Sequence, residues 1–388
     1  GTGGGTITIN AQNLNILSGS NLRAGIAEGV EIPNAQAGDI ILDIANNLRI
    51  SGATDSLSII SNQVGDFQAG DFLVGITTQG SAGDIIVKTN TFEGIGYYLI
   101  NSVTSGAGDA GDVTINARES VSLTGDEESS SGFNSFVGAS AIGNGGDVII
   151  DTPSLSITDS SLLLTTIGEG NTGDIRINAT ESIAVSGNSQ FQATSFGNGD
   201  AGNIFIDAPD ANITIATPDT VLSTSVVSVE SLIPILTPEL VDLIVEQFGI
   251  PRTSSGISGD ITITGRSLSV TDGASLLTTT AGQASADGRR ADAGNIEINV
   301  TESLDITGGS SLLSNSIGEG DAGNVIINGE TATVTFADLG TDADTVEVIS
   351  SSVQNLGSGR SGQINITGDS VSLNNVATIT NFIGAGVI

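Results

Sequence analysis

One short phrase, repeated along the whole chain, limits what it can fold into. Gly173-Asp174-Ile175-Arg176-Ile177-Asn178-Ala179 gives its form: a glycine, then Asp or Asn, then Ile or Val alternating with polar residues. The phrase returns at Gly38-Asp39-Ile40, Gly83-Asp84-Ile85, Gly111-Asp112-Val113 and Gly146-Asp147-Val148. Beyond residue 173 it returns at Gly202-Asn203-Ile204, Gly259-Asp260-Ile261, Gly294-Asn295-Ile296 and Gly323-Asn324-Val325. Looser copies stand at Gly5-Thr6-Ile7 and Gly362-Gln363-Ile364, which makes eleven copies in 388 residues. A chain of this kind stacks like units on one another, so a single repeat domain over 1–388 replaces the two or three globular domains its length alone suggests.

Within one period, residues 173 to 201 show three strand-like segments. Asp174 to Ala179 sets Ile175, Ile177 and Ala179 on one face, Ser182 to Ser186 does the same with Ile183 and Val185, and Gln190 to Phe196 with Phe191 and Ala193. Alternation with period two means one buried and one wet face per strand. Successive copies run in the same order, so each strand pairs in parallel with its counterpart one coil away. The expected architecture is all-β, a parallel β-helix of about eleven coils, triangular in section.

The opening glycines lie 27 to 57 residues apart, and the shortest interval is the bare coil. Excess residues must loop out, because stacking fixes the perimeter of a coil. Between 51 and 82 the sequence suggests a loop over Val64 to Asp71, with Phe72, Val74 and Ile76 resuming the third segment. The longest interval holds an insertion at 229–256. There Thr237-Pro238-Glu239 reads as a cap, a proline at the first helical position and an acid in the first turn. Leu240, Leu243, Ile244 and Phe248 follow as the apolar face of a helix of about eleven residues, stopped by Gly249 and Pro251. Such a face either covers a flank of the coil or docks another chain, and these four residues are the partner-docking candidates.

Ten basic residues against 44 acidic ones give a net charge of −34, which repels nucleic acid and anionic lipid. No apolar run reaches the roughly 18 residues of a membrane helix, and no signal-peptide pattern opens the chain. The chain therefore reads as a piece of a longer array, without membrane insertion. Cysteine is absent, which excludes disulfides and thiolate metal sites. Histidine is absent as well, so a nucleophilic hydroxyl lacks its usual base, and Lys88, the only lysine, falls in an outward position of a first segment.

Carboxylates remain. The repeated Asp39, Asp84, Asp112, Asp147, Asp174 and Asp260 line up along one edge, as a polysaccharide-cleaving β-helix would need. Asn203, Asn295 and Asn324 fill the same place without charge, which favours a hydrogen-bonding role over acid chemistry. No catalytic residue is assigned on these grounds. Oxygen-rich loops at Asp109 with Asp112, and at Asp126-Glu127-Glu128, are the candidate metal ligands, and calcium is the one cofactor they would recruit.

The phrase Gly-Asp/Asn-Ile-x-Ile-x-Ala followed by Ser-Leu-x-Ile-Thr, as at Ser154 to Thr158 and Ser303 to Thr307, resembles the repeats of filamentous haemagglutinin-like exoproteins. The resemblance covers nearly the whole chain. It implies a right-handed parallel β-helix, two-partner secretion and a place on the surface of a Gram-negative bacterium. The implied function is a non-catalytic, structural and adhesive filament shaft that displays loops. Its expected partners are other protein chains, further copies of itself or cell-surface glycans. A polysaccharide-binding or polysaccharide-cleaving β-helix enzyme with clustered Asp is the alternative. Two adjacent tyrosines, no tryptophan and few arginines supply such a groove poorly.

Overall fold

The computed structural model describes residues 4–27, 29–30, 34–65, 78–126, 131–139, 141–229, 238–239, 241–242, 245, 252–283, 288, 290–337, 347–354, 358–374 and 378–384. Twenty-two strands, numbered in chain order, form two parallel sheets of eleven strands each. The first sheet holds β1 (Ile7–Leu17), β3 (Ile40–Gly52), β5 (Ile85–Gly96), β7 (Val113–Thr124), β9 (Val148–Thr158) and β11 (Ile175–Ser186). It continues through β13 (Ile204–Ala216), β15 (Ile261–Thr271), β17 (Ile296–Thr307), β19 (Val325–Ala337) and β21 (Ile364–Leu373). The second sheet holds β2 (Asn21–Ile26), β4 (Ser58–Val64), β6 (Tyr98–Thr104), β8 (Gly132–Val137), β10 (Ser161–Thr166) and β12 (Gln190–Ser195). It ends with β14 (Val221–Val227), β16 (Ser275–Ala281), β18 (Ser311–Ser316), β20 (Glu347–Gln354) and β22 (Thr378–Gly384). The chain thus winds as a parallel β-helix, alternating between the sheets once per coil.

The triangular section is corrected in one respect. The first two expected segments are one long strand, so a coil contributes one strand to each of two sheets. In β11 the residues Ile175, Ile177 and Ala179 are buried, Thr180, Glu181 and Ser182 are exposed, and Ile183 and Val185 are buried again. The register slips at that exposed stretch, between Asn178 and Ser182 against β13. A shorter corner in β9 places only Pro153 and Ser154 between buried Thr152 and Leu155. The third side is reduced among the described residues to single bridges such as Ala107 with Ile142 and Ile142 with Glu169.

Register carries the core from coil to coil. Val148, Ile175, Ile204, Ile261, Ile296 and Val325 are successive partners in the first sheet, and all are fully buried. In the second sheet Ile100, Phe133, Leu162, Phe191, Leu222 and Leu276 make the facing file. Burying such a side chain contributes roughly 1.5–3 kcal/mol. Tyr98 joins this core completely. Gly94 leaves room for its ring, since a Cβ there would lie 2.4 Å from Tyr98 Cζ. The Tyr98 hydroxyl pairs with Ser160 Oγ at 2.7 Å, and burial pushes the phenol's pKa well above its ordinary range.

The third segment of the second coil lies elsewhere than the sequence suggests. It is β4, from Ser58 to Val64, placed before the expected loop instead of after it. Phe72, Val74 and Ile76 fall outside the described residues. The misleading residue is Asn62, which is polar yet fully buried at an inward position. Its Nδ2 donates to the Gly38 carbonyl at 2.9 Å.

Candidate functional site

The repeated acids are drawn together in a ladder along one edge. Asp84 Oδ1 accepts the amide of Asp112 at 2.9 Å, Asp112 Oδ1 that of Asp147 at 2.8 Å, and Asp147 Oδ1 that of Asp174 at 2.8 Å. Asp174 passes the pattern to Asn203 at 2.7 Å, Asn203 to Asp260 at 2.8 Å, and Asp260 to Asn295 at 2.7 Å. Asn295 accepts from Asn324 at 2.8 Å, and Asn324 from Gln363 at 2.7 Å. At the other end Asp39 accepts from Asp84 at 3.0 Å. Each side chain therefore caps the backbone of the next coil at the same position, and Asn serves as well as Asp because only an acceptor oxygen is needed.

A second ladder runs three residues earlier. Asp109 Oδ1 accepts the Asn144 amide at 2.7 Å, Asn144 Oδ1 the Asn171 amide at 3.1 Å, and Asn171 Oδ1 the Asp200 amide at 2.8 Å. Asp200 accepts from Ile257 at 3.0 Å, and farther along Asp292 from Asp321 at 2.7 Å. Sequence reasoning missed this line. Its signal was available in Asp109-Ala-Gly-Asp112, Asn171-Thr-Gly-Asp174 and Asp321-Ala-Gly-Asn324, where the Asx residue precedes the glycine by two places.

The corner glycines stack under these ladders. A Cβ on Gly173 would stand 2.1 Å from the Gly146 carbonyl oxygen, and one on Gly146 would stand 2.0 Å from that of Gly111. The glycine is required by close approach of backbone to backbone. Buried hydroxyls complete the corner: Gly111 donates to Ser102 Oγ at 2.7 Å, Gly146 to Ser135 Oγ at 2.9 Å and Gly323 to Ser314 Oγ at 2.9 Å.

The acids nearest to a catalytic arrangement lie around Arg176. Its guanidinium pairs with Asp174 and, at 3.5 Å, with Asp147, and it sits 4.7 Å from the centre of the Phe205 ring. Both carboxylates use one oxygen on a backbone amide and the other on Arg176, and the arginine covers the ring a sugar would stack on. The Asp112 carboxyl is held above its ordinary range. Burial is the main cause, and the Asp147 and Asp84 carboxylates add to it, against the lowering effect of the Asp147 amide. Lys88 is exposed in β5, between Asp43 and Asn116 in register, and so keeps the outward place expected of it.

Asp109 and Asp112 belong to different ladders and each accepts a backbone amide. Asp126 accepts from Thr54 Oγ1 at 2.9 Å, and Glu127 and Glu128 lie outside the described residues. Among the described residues, no three of His, Cys, Asp and Glu gather into a group able to hold a metal ion.

The insertion leaves the coil after Val229 and returns at Arg252. Ser228 Oγ donates to the Arg252 carbonyl at 2.7 Å, and Ser254 Oγ reaches the Val227 and Phe196 carbonyls at 2.7 Å each. Pro238, Glu239, Val241, Asp242 and Val245 are helical, Val241 is fully buried, and Asp242 pairs with Arg252. The docking candidates Leu240, Leu243, Ile244 and Phe248 lie outside the described residues. Stacking passes the insertion, since β14 pairs β16 in continuous register and β13 pairs β15 with only the corner shift between Ala208 and Asn212 that neighbouring coils also show.

Compared with protein-family models, with curated proteins and with solved structures, the chain matches none.

Proposed function

We propose that the chain is a non-catalytic shaft, structural and adhesive in role, that holds loops such as the 229–256 insertion along a rigid axis. The observation that carries this reading is the double ladder. The acids that looked most like a reaction centre are spent, coil after coil, on the backbone amides of the next coil. Stiffness along the axis follows, because each coil is joined to its neighbour by core files, two sheets and two rows of side chains at once. The net charge of −34 keeps such an extended surface apart from its own copies and from anionic polymers. The resemblance of the repeats to filamentous haemagglutinin-like exoproteins supports an extracellular place on a Gram-negative cell surface, reached by two-partner secretion.

The direct test presents the full chain on beads to cell-surface glycans and to cells, and in parallel incubates it with acidic and neutral polysaccharides, with and without calcium. A shaft leaves the chain length of every polysaccharide unchanged while the beads adhere. Cleavage that disappears in Asp147→Asn, a variant that retains the ladder acceptor, would replace this reading with the enzyme.

A further inference from the structure

Charge is distributed unequally between the two sheets. Every odd-numbered strand from β3 to β21 carries at least one Asp, Glu, Lys or Arg, whereas none of the even-numbered strands from β4 to β18 carries any. Charged residues are 14% of the chain, so eight consecutive strands without one are not what composition alone gives. The strands of this sheet are neutral, while the turns before β10, β14 and β16 carry Asp159, Asp219 and Asp272.

Side chains alternate across a strand, so register identifies what that sheet presents. Leu163, Gln192, Ser223, Leu277 and Leu313 are successive partners in β10 to β18, all half-buried and directed away from the core files. The flanking rows are mostly hydroxyl and amide, with Thr194 and Ser225 in mutual contact at 3.0 Å and Ser275 and Ser311 at 3.1 Å. Toward β6 the central row continues as Asn134 and Asn101. The Oδ1 atoms of both lack a hydrogen-bond partner, and Asn101 is only 3% exposed. These two buried acceptors lie in β6 and β8, outside the half-buried row of β10 to β18.

We propose that the outer face of the second sheet, from β10 to β18, docks a neutral polysaccharide; the proposal rests on the shaft reading and names the ligand of one of its sides. An anionic glycan is repelled by the molecule as a whole, and a cationic partner is drawn to the acid-bearing first sheet. A neutral glycan brings hydroxyls that pair with Ser, Thr, Asn and Gln, and apolar ring faces that rest on Leu163, Leu277 and Leu313. No ion is desolvated in the exchange. The rows recur at about 4.8 Å, so the face is periodic and suits a polymer better than a compact ligand. A second copy of the chain is the weaker occupant, because the face lacks aromatic anchors and its leucines are split by Gln192 and Ser223.

Affinity electrophoresis of the full chain in native gels cast with dextran, laminarin or galactomannan tests this, with alginate as the anionic comparison. The expected result is retardation by at least one neutral polymer and none by alginate. Gln192→Glu combined with Ser223→Asp weakens it about tenfold, the effect of losing one or two well-placed hydrogen bonds. The melting temperature falls only modestly in that variant, because the two new carboxylates stand opposite one another in register, and Asn299→Asp on the first sheet has no effect on binding. Absence of retardation by all three neutral polymers overturns the proposal, as does retardation that survives the double substitution. Self-association in sedimentation that the same substitutions abolish would assign the face to a second copy. Shortening of the polysaccharide would sink the shaft reading itself, which separates the two failures.

Discussion

At the residue scale the repeat phrase divides into three tasks. The glycine lets two backbones approach, the Asp or Asn caps the neighbouring amide, and the Ile pair fills the core file. Gly173→Ala places a methyl group 2.1 Å from the Gly146 carbonyl oxygen, so both coils must separate. The expected cost is about 3 kcal/mol, at the upper end of what overpacking produces, and denaturant unfolding reads it. Asp112→Asn tests the ladder from the opposite direction. The folded state holds the Asp112 proton more tightly than the unfolded chain does, so this group's stabilisation is present below the ordinary carboxyl range and is lost as pH rises through the elevated value. The Asn variant keeps the Oδ1 acceptor and removes that loss. Its melting temperature is therefore expected to exceed the native chain's at pH 7, with the difference shrinking as the pH is lowered toward 4. Equal melting temperatures across that range would refute the assigned charge effect. Replacing Asp by Asn in the sequence itself, at Asn203, Asn295 and Asn324, already pointed to the hydrogen bond. What it did not disclose was the acceptor's target, because an amide one coil away is 27 or more residues distant along the chain.

At the element scale, strands were readable wherever polar and apolar residues alternate without exception. Phe191 and Ala193 marked β12 correctly, and Ile175 to Val185 marked both halves of β11. The fusion of those halves was not visible, since a corner of two or three exposed residues looks the same whether the strand ends or bends. β4 failed for a related reason: Asn62, an inward polar residue whose Nδ2 donates to the Gly38 carbonyl while its buried Oδ1 has no partner, broke the pattern that identifies a strand. The insertion follows a simpler logic, in which its stem is closed by side chains that belong to the coil. Replacing residues 231–250 with a short Gly-Ser linker should leave the circular dichroism spectrum and melting temperature nearly unchanged. Ser254→Ala should cost about 1–2 kcal/mol, because the single proton of a fully buried hydroxyl, placed between the Val227 and Phe196 carbonyls, is lost. If the deletion unfolds the coils and Ser254→Ala is silent, the insertion is a structural part of the shaft and not a passenger.

At the scale of the whole molecule, eleven like coils make a body whose stability is a sum over neighbours. Ile177→Ala removes one member of a buried file in the middle of the stack, a loss of roughly 2–5 kcal/mol. Added salt is expected to raise the melting temperature by screening a net charge of −34, which acts along the entire surface. Charged residues of both signs stand along the first sheet, and strands β4 to β18 of the second sheet carry none. The repeated acids of the phrase are spent on holding coil to coil. Amide hydrogen exchange at Asp112, Asp147, Asp174, Asn203, Asp260 and Asn295 tests it most directly. The ladder predicts protection of these corner amides equal to that of buried strand neighbours such as Ile175 and Ile204. Exchange as fast as in an exposed loop would contradict it.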